Sequence, residues 1–233
     1  MLPAHALGFA PRARVGLLGG SFNPAHEGHL EIALIALKQL ALDEVWFLVS
    51  PGNPLKAGDG MAPLADRAGS VRRIAGAHPR LRVVTVEAAL GTRYTADTLD
   101  ALARRFRRTR FVWLMGADNL AQIPAWARWT AIFAAVPVAV FARPGYSLCA
   151  LVGKAARRFD RARRGAHGVR ALASAAAPAW VFFHTRLNPA SASAIRDARA
   201  RRTDPYASTR SQVPETRLST FTAGGNDRAP STA

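Results

Sequence analysis

The chain has 233 residues, 49% of them hydrophobic, enough for one domain that buries about 70% of the surface exposed by its unfolded form. A single cysteine, Cys149, excludes an intramolecular disulfide framework and fits a reducing compartment. The net charge of +17 is almost all arginine, with Lys38, Lys56 and Lys154 the only lysines; those arginines are not interleaved with aromatics as a nucleic-acid stacking platform requires, while the positive field suits a small anionic ligand.

Residues 1–13 carry their basic residues after the apolar ones and are interrupted by Pro3 and Pro11, which is not the order of a secretory signal. They read as a flexible extension. No stretch offers the roughly 18 uninterrupted apolar residues of a spanning helix, so a cytoplasmic protein without membrane contact is expected. VGLLGG (15–20) reads as a first buried strand, followed by a helix over 27–41. A strand over 44–50 leads into a Pro/Gly loop at 51–63, then a helix over 64–78 and a strand over 81–87. Next come a helix over 95–108, with Thr95 as its N-cap, and a strand over 110–116. A helix over 123–135 follows, then a strand with its exit turn over 136–145. A basic segment at 150–165 reads as helical, 179–185 as the sixth strand, and 192–202 as the last helix.

Short β-branched and aromatic runs alternating with longer Ala/Leu/Arg segments imply an α/β protein with a doubly wound parallel sheet. Residues 14–202 make one domain on this reading. The Ser/Thr/Pro/Gly-rich tail from 203 to 233 has too few large apolar residues to offset the entropy of ordering and is expected to be disordered. In such sheets ligands lie beyond the carboxyl ends of the strands, so the chemistry is sought just after each strand.

The first strand runs into Gly19-Gly20-Ser21-Phe22-Asn23-Pro24-Ala25-His26-Glu27-Gly28-His29. Neither G-x-x-x-x-G-K-[ST] nor G-x-G-x-x-G is present, and two histidines three apart are not H-E-x-x-H. No further Cys/His cluster offers a third zinc ligand, and there is no nucleophile elbow. The glycines allow close backbone approach and Pro24 stiffens the turn. A helix beginning near His26 puts His26 and His29 on one face of its first turn, among unpaired N–H groups at the positive end of the dipole. Such a place attracts an anion. After the sixth strand, Asn188 to Arg196 opens another helix with hydroxyls, and Arg196 shares a face with Ser193. Plain N-capping by Ser191 would explain part of that segment.

At this point the chain resembles a known family. Gly20 to His29 is similar to the G-x-F-x-P-x-H-x-G-H signature of the nucleotidyltransferase α/β superfamily. The ordered set of further motifs resembles the bacterial nicotinate-nucleotide adenylyltransferases: Pro51-Gly52-Asn53-Pro54-Leu55-Lys56, Arg93-Tyr94-Thr95-Ala96-Asp97-Thr98-Leu99, Trp113 to Leu120 with Gly116 and Asp118, paired Trp126 and Trp129, Arg143-Pro144-Gly145, and Ser191 to Arg196. Leu55 stands where many members have His, and Ala192 and Ser193 where Ser and Thr are usual.

The resemblance implies a Rossmann-like nucleotidyltransferase fold and adenylyl transfer from ATP to nicotinate mononucleotide, with Mg²⁺ carried on the ATP phosphates and no protein metal site. It implies His26, His29, Lys56 and Arg196 as catalytic residues. Gly19, Gly20, Ser21, Phe22, Gly28, Gly116, Asp118 and Ser193 would bind ATP. Tyr94, Thr95, Trp126, Asn53 and Arg143 would bind the nicotinate nucleotide. Asp118 reads equally as the N-cap of the next helix, and Trp126 and Trp129 equally as core, core being preferred for Trp129. A sister transferase with another phosphate acceptor and, more remotely, a basic nucleic-acid-binding module are the rival readings. Homo-oligomerisation is left open.

Overall fold

The computed structural model describes residues 12–52, 60–184 and 191–203. Asn53, Lys56, residues 188–190, most of the N-terminal extension and the tail beyond 203 lie outside the described residues. One compact unit ends at Arg196, and a second begins at Asp197.

Six strands form one sheet: β1 (Arg14–Gly20), β2 (Glu44–Val49), β3 (Leu81–Val84), β4 (Arg110–Gly116), β5 (Val138–Phe141) and β6 (Trp180–Phe183). Their order is β3-β2-β1-β4-β5-β6, and every neighbouring pair is parallel. This is the doubly wound arrangement expected from the alternation of elements, with the strand order reversing between β1 and β4. The strands are apolar almost throughout because both faces are covered. In β2, Val45, Phe47 and Val49 enter one core cluster, while Trp46 and Leu48 enter the other. Around the sheet lie α1 (Glu27–Gln39), α2 (Leu64–Ala75), α3 (Val86–Leu90), α4 (Thr95–Arg105), α5 (Ala117–Gln122), α6 (Trp129–Ala135), α7 (Ser147–Leu151) and α8 (Lys154–Arg158); α9 is Ala192–Thr203. No helix among the described residues is long and apolar enough to cross a membrane.

Several sequence expectations are corrected here. The strand expected to continue to residue 87 stops at Val84. Thr85 leaves the extended region, and α3 turns in its place, closed by Gly91 in the left-handed conformation. This carries Glu87 into the interior, where burial pushes its carboxyl pKa up. Thr95 is not the cap of α4; Tyr94 takes the N-cap position without a side-chain hydrogen bond. The single helix expected over 123–135 is broken. A helix already begins at Ala117 directly after β4, a 3₁₀ turn covers Ile123–Ala125, and Arg128 adopts φ 52° before α6. Pro124 in that turn cannot donate to a continuous helical ladder. The basic segment at 150–165 is likewise divided, between α7, α8 and a 3₁₀ turn, at Gly153. Within the strand and exit turn expected over 136–145, the strand itself covers Val138–Phe141. Ala13, assigned by sequence to the extension, is buried.

Gly19 is required by packing. A methyl group added there would sit 2.2 Å from Cη2 of Trp113, on a rigid ring in the neighbouring strand. Gly19→Ala should therefore cost about 1–3 kcal/mol through overpacking, read as a lower urea midpoint, and Trp113→Leu in the same chain should recover part of the loss.

Candidate active site

β1 ends at Gly20, and the chain turns through Ser21–Ala25 into α1, whose N-cap is His26. Phe22 takes φ 47° in this turn and buries its ring, 2% exposed, against Phe47. His26 and His29 face the same way, as the three-residue spacing implies, with ring centroids 3.8 Å apart. The backbone N–H of His26 donates to Nδ1 of His29 at 3.2 Å. The His29 ring also meets the edge of Phe22 at 4.9 Å. With Nδ1 occupied as an acceptor, a neutral His29 carries its proton on Nε2 and presents it as a donor.

The histidine pair stands among groups from two further strand ends. Gly116 closes β4, Asp118 follows in α5, and Arg143 lies two residues past β5. Arg143 Nε is 3.5 Å from Asp118 Oδ1. A methyl on Gly116 would fall 2.3 Å from that oxygen and 3.2 Å from Arg143 Cγ; a methyl on Gly28 would lie 3.1 Å from His26 Nδ1 and 3.4 Å from Arg143 Nη1. Both glycines thus make room for side chains that crowd together. Gly116, not Asp118, is the N-cap of α5, so the capping reading of Asp118 fails and its carboxylate faces Arg143. The sequence grouped Arg143 with Tyr94, Thr95 and Trp126; the structure sets it beside the histidines.

The late serine–arginine pair joins the same turn. Arg196 donates from Nη1 to the Asn23 carbonyl at 2.7 Å and from Nη2 to Ser193 Oγ at 3.2 Å. Ser191 Oγ accepts from Ala194 N at 3.1 Å, the ordinary cap. Residues 173 apart in the chain are thereby brought within three residues of His26. Tyr94 is exposed, Thr95 and Trp126 are half-buried, and Trp126 ends the 3₁₀ turn after α5. Trp129 packs edge-on against Phe133 and Phe159, a core role. Among the described residues no group of three His, Cys, Asp or Glu side chains is placed to hold a metal ion.

Two residues of this region were not singled out from sequence. Arg67, 2% exposed, and Ser70 sit on α2 and hold the turn between β1 and α1. The available signal was an arginine on the buried stripe of α2, where Ala68, Val71 and Ala75 are its neighbours, at a helix start whose dipole opposes a cation.

The sequence profile of the cytidylyltransferase-like family matches residues 17–198. The chain belongs to that family. It is 54% identical to a Bradyrhizobium protein over 169 residues, covering 72% of this chain and 88% of the relative. It is 50% identical to a Parvibaculum lavamentivorans protein over 187 residues, covering 80% and 92%, and 54% identical to a Cereibacter sphaeroides protein over 182 residues, covering 78% and 96%. All three relatives are named probable nicotinate-nucleotide adenylyltransferase. The Plasmodium falciparum nicotinic acid mononucleotide adenylyltransferase solved with NaAD superposes with a TM-score of 0.59 at 13% identity, over 78% of this chain and 82% of that one. That likeness bears on the fold.

Burial is the first cause holding both imidazoles neutral. It lowers His26 to about 4, helped by Arg143 and opposed by Asp118. It lowers His29 to about 3, helped by His26 and Arg143. An unfolded histidine takes its proton near pH 6.5, so the unfolded chain binds more protons below that pH. The linked stability is fully present above about pH 6.5 and declines as pH falls towards 4 and then 3. The urea midpoint of the wild type should be flat above pH 6.5 and fall below it, and His29→Ala should make that fall shallower.

Proposed function

We propose that the chain transfers the adenylyl group of ATP to nicotinate mononucleotide, releasing pyrophosphate. The single observation that carries this reading is the meeting of the histidine turn with Arg196 and Ser193, the two phosphate-type elements that lie far apart in sequence. The names of the relatives support the acceptor.

On this reading the acceptor's phosphate is already ionised at neutral pH and attacks the α-phosphorus directly, so no general base and no covalent intermediate are needed. The P–O bond to the β-phosphate breaks in line with the attack, and the electron pair leaves with pyrophosphate. The protein's work is alignment and charge stabilisation. His29, its tautomer set by the His26 N–H, donates from Nε2 to the oxygens that gain charge at the α-phosphorus. His26 and the free N–H groups at the start of α1 add further donors. Arg196 and Ser193 hold the β,γ end and the departing pyrophosphate; Lys56 joins them on the strength of the family motif alone. Arg143, beside Asp118 and the histidines, adds fixed positive charge, and Asp118 accepts from the ribose of ATP. Mg²⁺ carried on the ATP phosphates would supply charge neutralisation there; among the described residues no group of three His, Cys, Asp or Glu side chains would hold the ion by itself, and Asp118 is a carboxylate beside the histidines. Trp126 stacks on the pyridine ring, and Tyr94 and Thr95 border it. The reaction's small soluble substrates and the chain's lack of disulfide chemistry support a cytoplasmic site of action.

The direct test is product analysis with ATP and the acid and amide mononucleotides side by side. Dinucleotide and pyrophosphate from the acid form are expected; turnover only with a different phosphate acceptor would reassign the site. His29→Ala should lower kcat by about 100-fold, the loss typical of one donor to a developing oxyanion, with the KM for ATP within about threefold of wild type. Trp126→Ala should raise the KM for the mononucleotide by about tenfold, the worth of an aromatic stack, and leave that for ATP unchanged.

A further inference from the structure

α2 begins immediately after the loop that follows β2, and its first turn carries a buried cation where the dipole disfavours one. Arg67 donates from Nε to the Ala62 carbonyl at 2.8 Å, from Nη1 to the Ser21 and Ser50 carbonyls at 2.7 Å each, and from Nη2 to the Pro51 carbonyl at 3.0 Å. Ser21 is the first residue beyond β1, and Ser50 and Pro51 are the first beyond β2. The last ladder bond between these strands runs from Ser50 N to Gly20 O at 3.0 Å. Arg67 takes over where that ladder ends. One turn later, Ser70 Oγ donates to the Arg67 carbonyl at 2.7 Å and accepts from Ala25 N at 3.2 Å. The same stretch grips the turn between them: Asn23 Nδ2 donates to the Gly60 carbonyl at 2.8 Å, and Asn23 Oδ1 accepts from Ala62 N at 3.2 Å. Both ends of the Ser21–Ala25 turn are therefore held by one face of α2, and His26 is the next residue.

We propose that Arg67 is a positioning residue for the histidine pair: by gathering the carbonyls at the exits of β1 and β2 onto one guanidinium, with Ser70 at the far end of the turn, it sets the angle at which α1 presents His26 and His29 to the reacting phosphate. Four carbonyl oxygens pointing into one buried spot repel each other, and no single neutral side chain offers four donors in a plane. Remove the guanidinium and the turn must open to rehydrate them. Ser21–Ala25 then loses its fixed register against α2, and the bond from His26 N to His29 Nδ1, which depends on the entry into α1, loosens with it. The inference rests on the adenylyl-transfer reading for what the histidines do, and on the structure alone for what Arg67 does to them.

The test is a double-mutant cycle between Arg67→Met and His29→Ala, with kcat counted per folded molecule from circular dichroism well below the melting temperature. In the wild-type background R67M should lower kcat by about 30-fold, with both KM values within about threefold, because alignment is lost and binding is not. In the H29A background it should cost less than about threefold, since residues that act as a unit are not additive. R67K, which keeps the charge but not the fork, should recover part of the loss. An equal fold-loss in both backgrounds, or an unchanged kcat in folded R67M, overturns the proposal. If R67M does not fold, R67K and S70A replace it in the same cycle, and additivity with H29A has the same meaning. The ¹⁵N signature of the His29 ring needs no substrate. In the wild type it should show a bare Nδ1 acceptor with the proton on Nε2, and a mixture of tautomers in R67K. An inactive wild type would end the functional reading while leaving this second measurement to decide on Arg67; unchanged tautomers in R67K would overturn the positioning role whatever the enzyme's activity.

Discussion

A single backbone donor governs the site: the N–H of His26 reaching Nδ1 of His29. The first N–H groups of any helix lack intrahelical partners, and here one of them is used to choose a tautomer. The consequence is directional. His29 is left with its proton on the outer nitrogen, the donor that the proposed function would aim at a phosphate oxygen, and the choice is made without any ligand. Such preorganisation is what makes a donor valuable during charge development, since no reorganisation is required at the moment of reaction. It holds only while α1 starts where it does, so everything that fixes Ser21–Ala25 is indirectly part of the site.

The neighbouring strand ends obey the same constraint. The order β2-β1-β4-β5 puts the histidine turn between the exit of β2, gripped by Arg67, and the exits of β4 and β5, which supply Asp118 and Arg143. Space there is so tight that Gly28 and Gly116 cannot carry even a methyl group without pressing on His26, Asp118 or Arg143. These glycines work by absence of volume. Neither needs a left-handed backbone, since the residue that takes positive φ in the turn is Phe22, which is kept there by its buried ring.

Much of this was legible in the chain itself. Continuous apolar runs such as EVWFLV and RFVWLMG marked central strands because both faces are covered, and the i, i+3 spacing of His26 and His29 was enough to place their rings together. The late Ser193–Arg196 pair was legible as a helix start, but its bond to the Asn23 carbonyl joins residues 173 apart in the chain and is a tertiary choice. What could not be read depends on tertiary choice. Val86 and Glu87 have strand-like neighbours, yet the chain turns into α3 because β3 pairs only through Val84 with Leu48. Asp118 had the composition of a cap, but α5 starts at Ala117, directly after β4, so Gly116 caps it and the carboxylate is released towards Arg143. Arg67 was one of many arginines in the chain and was not singled out. Its burial is decided by carbonyls from two loops that only the sheet brings together.

The division between arginine and histidine in the site has an electrostatic reason. Arg67, Arg143 and Arg196 carry permanent charge, and each is set where carbonyls, a hydroxyl or a carboxylate meet it. The two groups whose ring centroids lie 3.8 Å apart, tilted by 35°, are imidazoles. Two full positive charges at that separation would repel by roughly 4 kcal/mol at an effective dielectric near 20, on top of the cost of burying them. A pair of lysines or arginines could not be stacked this closely at the mouth of a helix. Neutral rings can be, and burial keeps them so. An arriving polyphosphate changes the balance, because its negative charge favours a proton on whichever ring it touches. The site therefore combines fixed cations at its margins with a compact neutral centre, an arrangement that on the proposed reading would attract the anion and gain charge only when the anion is there to share it.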